Sequence, residues 1–431
     1  MLVSLFLAVN AAFASSLPRS GGLDHVEHKR LPDNWYHRRD HPVQNLFKRA
    51  PPGDGINYAQ VGSPTWSSSF PTNTPDTNQL PQAWVDALND AVAAGKIPNI
   101  PQSTNTPGTN PVYPNGMNPA GPEICSGTYQ CRIPGDTWDA PTGTLGVGFD
   151  DGPQPATSNL ATFLQAQNQS ATHFMIGVNI LNNANQFLAA YDIGGDIAVH
   201  TYTHPYMTTL SNLQIVAELG WTMEIIHNST GGRVPRFWRP PYGDSDNRVR
   251  AIALEVFGLE CIIWNQDTDD WSMATGGTTM QAISDNMNKW LTGPKTPGLI
   301  ILEHELTNDT VQAFINAYPT MKSNGWNTTS VSRLVDNDSP YQNSDGTDDD
   351  STVSVDGILV ASTSSSTSSS SSTSDMSTTP SQAAAAASTT ASASVSTTSN
   401  SAINLFSEGH ALLGVATSVL FIVASAASFL L

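Results

Sequence analysis

Thr144-Leu145-Gly146-Val147-Gly148-Phe149-Asp150-Asp151-Gly152-Pro153 is the stretch on which the fold turns. Residues 144–149 form an apolar run of strand length, and the run ends on two adjacent carboxylates, Asp150 and Asp151. Outward from it the same grammar repeats. Strand-like runs at 172–178, 196–200, 236–239, 261–266, 298–303 and 330–334 alternate with helix-period segments at about 158–167, 183–191, 213–227, 246–257, 280–291 and 311–323. Such alternation marks βα units around a parallel sheet. About seven strands, each beside a helix, predict an α/β fold of the distorted, incomplete (β/α)7-barrel type.

Parallel barrels place their chemistry at the C-terminal strand ends and the loops that follow. Polar residues gather at those ends here: Asp150 and Asp151 after the first run, His200 after the third, Arg239 after the fourth, Asp267 to Asp270 after the fifth and His304 after the sixth. A hydrolytic metal site needs donors for the ion, an open position, a base for water and an acid for the leaving group. His200 and His204 stand in His-Thr-Tyr-Thr-His-Pro, a spacing that brings two imidazoles to one ion if the chain turns after the strand. Asp151 completes a two-histidine, one-carboxylate set. Non-haem iron oxygenases use the same donor types, and the neighbours break the tie. Asp150 supplies the base, and His304, with Asp270 as orienting partner, supplies the acid.

Each of these residues has a bland reading when taken singly. An Asp at a strand end is usually a helix cap, His304 is a satisfied core histidine, Arg239 pairs with surface acids and Asp270 caps a loop. Five clusters on one rim favour a site instead. Asp267 has no role beyond capping, His173 reads as strand packing and His227 as an exposed helix residue.

Phe149-Asp150-Asp151-Gly152-Pro153, His200-Thr-Tyr-Thr-His204-Pro205, Arg239-Pro240-Pro241-Tyr242, Asp267-Thr-Asp-Asp270-Trp271 and Leu302-Glu303-His304 resemble, in order, the five motifs of the carbohydrate esterase family 4 polysaccharide deacetylases. Within that family the chain is most similar to fungal GPI-anchored chitin deacetylases. The resemblance covers residues 143–334. It implies the NodB-like deacetylase fold and a hydrolase of linear amides that takes N-acetyl groups from chitin at the cell wall, giving chitosan and acetate. It further implies that Asp151, His200 and His204 hold one divalent metal, zinc first and cobalt second. Asp150 would be the base, Arg239 would position it, and His304 would be the acid tuned by Asp270. The Tyr242 N–H would help hold the oxyanion, and Trp271 and Leu302 would line the acetyl pocket.

The sequence departs from the family at Gly148, where Thr is usual, and at Glu303 and Glu305, where Ser and Asp are common. The pH optimum is the property those glutamates would change. Two rival readings stay open: the same hydrolysis on another acetylated glycan of the xylan or peptidoglycan type, and a catalytically silent chitin-binding wall protein. Asp150 would have no use in the second.

Much of the remaining chain is not core-forming. Residues 1–14 are an apolar run ending in Ala12-Phe13-Ala14, as in a secretory signal peptide, although no Lys or Arg precedes it. Residues 15–49, rich in His and Arg, end on the dibasic pair Lys48-Arg49 and read as a pro-segment cut there, or as a basic arm that stays attached. Residues 50–142 hold one helical piece, 81–95, whose Trp84, Leu88 and Val92 share a face. They are expected to pack as an extension on a deacetylase domain at 143–340. From 341 to 400 the chain is a Ser/Thr-rich stalk, unable to bury enough surface to offset chain entropy.

An uncharged apolar run at 411–431 is long enough to span hydrocarbon. A short spacer and the small residues Asn400-Ser401-Ala402 precede it, so 401–431 reads as a lipid-attachment (GPI) signal with Asn400 as the anchor residue. A tail-anchoring helix, the alternative, would normally keep basic residues beside the run. Sequons at Asn168, Asn228, Asn308, Asn327 and Asn337 agree with a secretory route, the last weakened by Pro340.

The formal charge is −19, and loss of 1–49 would remove 7 of 18 basic but only 4 of 37 acidic residues. An acidic chain of this kind repels nucleic acid and anionic lipid and attracts a polycationic product; a monomer acting on a glycan is expected. Cys125 and Cys131 flank a Gly-containing turn and are the favoured disulfide, with a link from either to Cys261 as the alternative.

Overall fold

The computed structural model describes residues 58–106, 108–334 and 339–343. The chain divides into two units, Met1–Ser362 and Thr363–Leu431. The second lies wholly outside the described residues, as do the expected signal peptide 1–14, the pro-segment 15–49, the stalk beyond 343, the anchor signal with Asn400, and the Asn337 sequon. Among the described residues no helix is long and apolar enough to cross a membrane.

Strands β1 (Thr144–Gly152), β2 (Thr172–Met175), β3 (Asp196–Val199), β4 (Phe237–Trp238), β5 (Glu260–Cys261), β6 (Gln266–Asp267), β7 (Leu299–Leu302) and β8 (Asn327–Ser330) pair in parallel. Their order is β5-β4-β3-β2-β1-β7-β6, with β8 against the first half of β1. The two ends of that order, β5 and β6, are nearly consecutive in the chain. The four residues between them reach at most about 18 Å, so the sheet must curl until its edges approach. The expected strand 261–266 is therefore a split one, giving one piece to β4 and the other to β7.

Helices α1 (Gln82–Ala93), α2 (Thr157–Gln167), α3 (Gly177–Asn182), α4 (Ala184–Asp192), α5 (Asn212–Ser229), α6 (Asn247–Phe257), α7 (Met280–Leu291) and α8 (Asn308–Ser323) accompany the sheet. Side chains alternate across each strand. Leu145, Val147, Phe149, Leu299 and Ile301 pack outward with Leu160, Ile283 and Phe314 of α2, α7 and α8. Ile197, Val199 and Trp238 pack outward with Leu219 and Ile252 of α5 and α6. Phe174, Ala198, Phe237, Ile262 and Ile300 form a third, inner cluster with Val331 and Leu334.

That inner cluster explains two departures from expectation. The segment 330–334 is not the last strand: β8 ends at Ser330, and Val331–Arg333 is a 3₁₀ turn whose Val331, with Leu334 just after it, plugs the barrel. A Cβ on Gly148 would meet Val331 Cγ1 at 3.0 Å and Phe174 Cε2 at 3.4 Å, so the plug takes the room that a Thr would need. The run 172–178 also stops early, because α3 begins at Gly177.

The extension docks through α1. Trp84 is 1% exposed, edge-on to Trp221 and Phe257, and a Cβ on Gly220 would lie 2.5 Å from its ring. Truncating a tryptophan so enclosed costs about 3–5 kcal/mol. Leu88 and Ala91 share its buried face, whereas Val92, expected there, is exposed. His227 is a further correction: it is 1% exposed and packs edge-on to Tyr58. Tyr341 to Asn343, at the start of the expected stalk, are buried, and Gln342 Nε2 donates to the Pro235 and Phe257 carbonyls.

Candidate active site

The end of β1 does not keep strict alternation. Asp150 is opposite Phe174 on β2 and Gly152 is opposite Met175, so Asp151 is an extra residue in the ladder, with φ +69°. A bulge of this kind re-aims a side chain, and here it turns two consecutive carboxylates toward one site. The Asn179 side chain holds the Asp151 carbonyl at 3.0 Å. Asp150 bonds through its backbone to Glu303 O and Glu305 N, across to the end of β7. Beside this, His173 Nδ1 and Glu305 Oε1 pair at 2.9 Å, both side chains wholly buried. A Cβ on Gly152 would collide with that Glu305 carboxylate.

His200 and His204 come from the turn after β3. His200 Nδ1 lies 2.7 Å from the Arg239 carbonyl, which can only accept, so Nδ1 carries the proton and Nε2 offers its lone pair. That Nε2 is 3.3 Å from Asp151 Oδ1, and His204 Nε2 is 3.1 Å from the same oxygen. His204 Nδ1 meets the Tyr242 hydroxyl at 3.1 Å. Glu218 of α5 braces the turn, accepting the Tyr202 and Thr203 N–H groups at 2.8 and 2.7 Å and the Thr203 hydroxyl at 2.6 Å. Burial pushes the Glu218 carboxyl up in spite of these donors. Sequence reasoning missed Glu218; its signal was a carboxylate at a buried position beside Leu219 and Val216 of an apolar helix.

Burial would raise the Asp151 carboxyl, but His204 and His200, with His304 beyond, hold it well below the usual range. The ligand atoms of Asp151, His200 and His204 all lie within 4.8 Å of one another. Electron-pair donors gathered this closely, one imidazole fixed in the tautomer with Nε2 free, fit a divalent cation.

Asp150 is left outside that trio. Its Oδ1 accepts from Arg239 Nη1 at 2.6 Å, and both side chains are buried. The guanidinium also points at the Ile262 and Ile263 carbonyls and lies over the Phe174 ring, 4.1 Å from its centroid. Across the rim Asp270 grips His304 twice, at Nδ1 (2.6 Å) and at the backbone N–H (2.9 Å). Burial disfavours the His304 imidazolium, but Asp270, through charge and hydrogen bond, then Asp151 and Asp150, outweigh it and push the group up to about 10. His304 Nε2 is 3.9 Å from Asp151 Oδ2.

Tyr242 has φ +60° and half-exposes its ring, which stacks on Tyr206 at 4.0 Å. No acceptor for its N–H occurs among the described residues. Trp271 follows Asp270 and is exposed, while Leu302 is buried at the end of β7. Asp267 accepts from the Asp269 N–H at 2.9 Å, and burial pushes its carboxyl up to about 6. Cys125 and Cys131 form a disulfide in the extension, and Cys261 is a buried free thiol.

A curled parallel barrel with two imidazoles and a carboxylate around one point, a second carboxylate beside them and a histidine opposite, belongs to the hydrolases that work with a bound metal ion. Comparison with known proteins gives the family. The profile described as Polysaccharide deacetylase matches residues 139–260. Chitin deacetylase 3 of Cryptococcus neoformans var. neoformans is 42% identical over 341 residues, 77% of this chain and 80% of that protein. Chitin deacetylase 1 of Saccharomyces cerevisiae is 36% identical over 49% of this chain and 68% of its own length. A solved structure of the chitin deacetylase from Colletotrichum lindemuthianum is 26% identical with a TM-score of 0.44, covering 48% of this chain and 96% of that one. The chain belongs to the polysaccharide deacetylase family.

Proposed function

We propose that the protein hydrolyses the N-acetyl groups of chitin, releasing acetate and leaving glucosamine units. The observation that carries this is the unligated Asp150 carboxylate beside the Asp151, His200 and His204 trio, in a chain whose relatives are named for that reaction. The trio would hold one divalent ion, zinc first and cobalt second. When bound, such an ion supplies Lewis acidity, polarising the amide carbonyl and making water more acidic.

The protein's own groups do the rest. Asp150, aimed by Arg239, takes a proton from water as the water oxygen bonds to the carbonyl carbon. The Tyr242 N–H donates to the oxygen on which negative charge develops. His304 donates its proton to the amide nitrogen, the C–N bond breaks, and acetate leaves an amine behind. Trp271 and Leu302 flank the acetyl methyl.

Processing of 1–14 and 15–49, a stalk beyond the domain and lipid attachment at Asn400 would place the enzyme at the cell wall and outer membrane face. Exposure of Asn168, Asn308 and Asn327 supports glycans there, whereas the half-buried Asn228 side chain donates to Glu224. Acetate release from chitin oligomers, compared between the native protein and Asp150→Asn, tests the reading. Loss of nearly all release in the variant supports it; equal release in both overturns it.

A further inference from the structure

The turn that presents the Tyr242 N–H hangs from β4, a strand of only two residues. Tyr242 holds a left-handed backbone, which a residue with a side chain leaves unless its surroundings fix it. The Tyr206 ring, His204 and the Asp244–Thr208 hydrogen bonds hold it from the barrel side, and a further hold comes from outside the barrel. The Gly127 N–H donates to the Ser245 carbonyl at 2.8 Å. A Cβ on Gly127 would lie 2.5 Å from the Gly243 carbonyl oxygen and 3.0 Å from Ser245 Oγ, so the extension is in direct backbone contact with the turn. On another side Trp264 closes over Gly243, 3.2 Å from where a Cβ would stand.

Gly127 belongs to the loop closed by the Cys125–Cys131 disulfide. That loop grips the chain just after the turn. Arg250 of α6 donates to the Cys125 carbonyl and, at 3.4 Å, to that of Cys131, and pairs with buried Asp136 at 2.8 Å. Asn247 donates from its backbone to Ile124 O and from its side chain to Pro122 O and Glu123 O. Tyr113 bonds the Asp246 carboxylate at 2.9 Å.

We propose that the disulfide-closed loop 125–131 is a positioning element for hydrolysis, holding the turn so that the Tyr242 N–H meets the developing oxyanion. This rests on the assignment of that N–H as oxyanion donor. None of the hydrogen bonds and ion pairs found at Asp151, His200 and His204 among the described residues reaches the loop, so disturbing it should leave metal loading intact and fall on the transition state.

The test uses Gly127→Ala in the full chain, with an N-acetylglucosamine tetramer as substrate. A displaced oxyanion donor lowers kcat by about ten- to a hundredfold. The expected result is that fall with KM changed less than about threefold, one metal per chain retained and a cooperative melting transition that stays well above the assay temperature. A folded, metal-loaded variant with native kcat overturns the proposal; so does a kcat loss that merely follows lost metal or lost stability. If Gly127→Ala gives no folded protein, the Cys125→Ser/Cys131→Ser double variant is judged by the same criteria. Asp150→Asn run alongside separates the two levels. Undiminished release by it sinks the deacetylase reading itself, whereas its inactivity beside a native Gly127→Ala sinks only the positioning role.

Discussion

Removing Arg239 should expose how strongly the base and its partner depend on one another. Arg239 is wholly buried and Asp150 nearly so, joined by a 2.6 Å charge-assisted hydrogen bond. Breaking a buried pair by deleting one partner costs about 3–5 kcal/mol, because the other charge stays buried without compensation. Arg239→Met should thus destabilise by that amount, with Asp150→Asn in the same range or lower, since the guanidinium keeps the Ile262 and Ile263 carbonyls. In the double variant neither charge remains, and the loss reduces to hydrogen bonds and packing over Phe174, about 1–3 kcal/mol. The two singles together therefore exceed the double by roughly 3 kcal/mol or more. Urea unfolding of the four proteins in chelator closes the cycle without interference from a bound cation. Additivity within about 0.5 kcal/mol would show that the contact carries no coupling and that Arg239 is fixed by its carbonyls and Phe174 alone.

Three further outcomes are expected. Asp270→Asn should lower the His304 pKa from about 10, because Asp270 is the chief influence raising it against burial. An acid must be protonated to act, so the alkaline limb of kcat/KM should move to lower pH by about 2 units or more; an unmoved limb refutes the assignment of His304 as the acid. Chelation should abolish acetate release and re-addition of zinc restore it, while His204→Ala should bind metal at least about tenfold more weakly by competition with a chromophoric chelator; native affinity there removes His204 from the ligand set. Glu218→Ala leaves the Tyr202 and Thr203 N–H groups unsatisfied and should lower stability by about 2–4 kcal/mol together with metal affinity, whereas an effect on stability alone would mean the turn keeps its shape without the carboxylate.

The alternation of apolar runs was enough to read a parallel barrel, because β1, β2, β3 and β7 are buried along their whole length and the helices between them bury an apolar face. What it could not tell was which apolar residues were strand and which were plug. Val331 and Leu334 carry the same apolar signal as a strand, but they fill the barrel interior that Gly146 and Gly148 leave open. Val178 continues the β2 run in composition, yet its backbone is already helical from Gly177. The split between β5 and β6 is likewise invisible in 261–266, since it arises from closing the sheet on itself. The candidate site residues could be picked out in the sequence because their types and order are those the proposed chemistry needs. The supports were not: Glu218, Gly127 and the Glu305–His173 pair act through partners far along the chain, and only folding brings them together.

Periodicity alone would have argued against the site. In a strand with strict alternation one of two adjacent aspartates faces the outer apolar layer, where Phe149 and Val147 pack, and an unpaired carboxylate there would be strongly unfavourable. The bulge at Asp151 resolves the conflict, but at the cost of a left-handed residue with a side chain. The same device recurs at Thr201, His204 and Tyr242, each carrying about 1–2 kcal/mol of backbone penalty. Glycine would relieve that penalty at all four positions, yet at each the side chain is a proposed metal ligand or anchors one: the Thr201 hydroxyl accepts the His204 N–H and the Tyr242 hydroxyl meets His204 Nδ1. Local backbone preference and function therefore pull apart at the ends of β1, β3 and β4, and the braces around them, Asn179, Glu218 and the loop 125–131, stand where the strained residues need holding. Left-handed residues also occur away from the site, at Asn115 and Asn168. At the ends of β1, β3 and β4, however, they coincide with the aspartates and histidines, and unlike those residue types the coincidence can be seen only once the chain has folded.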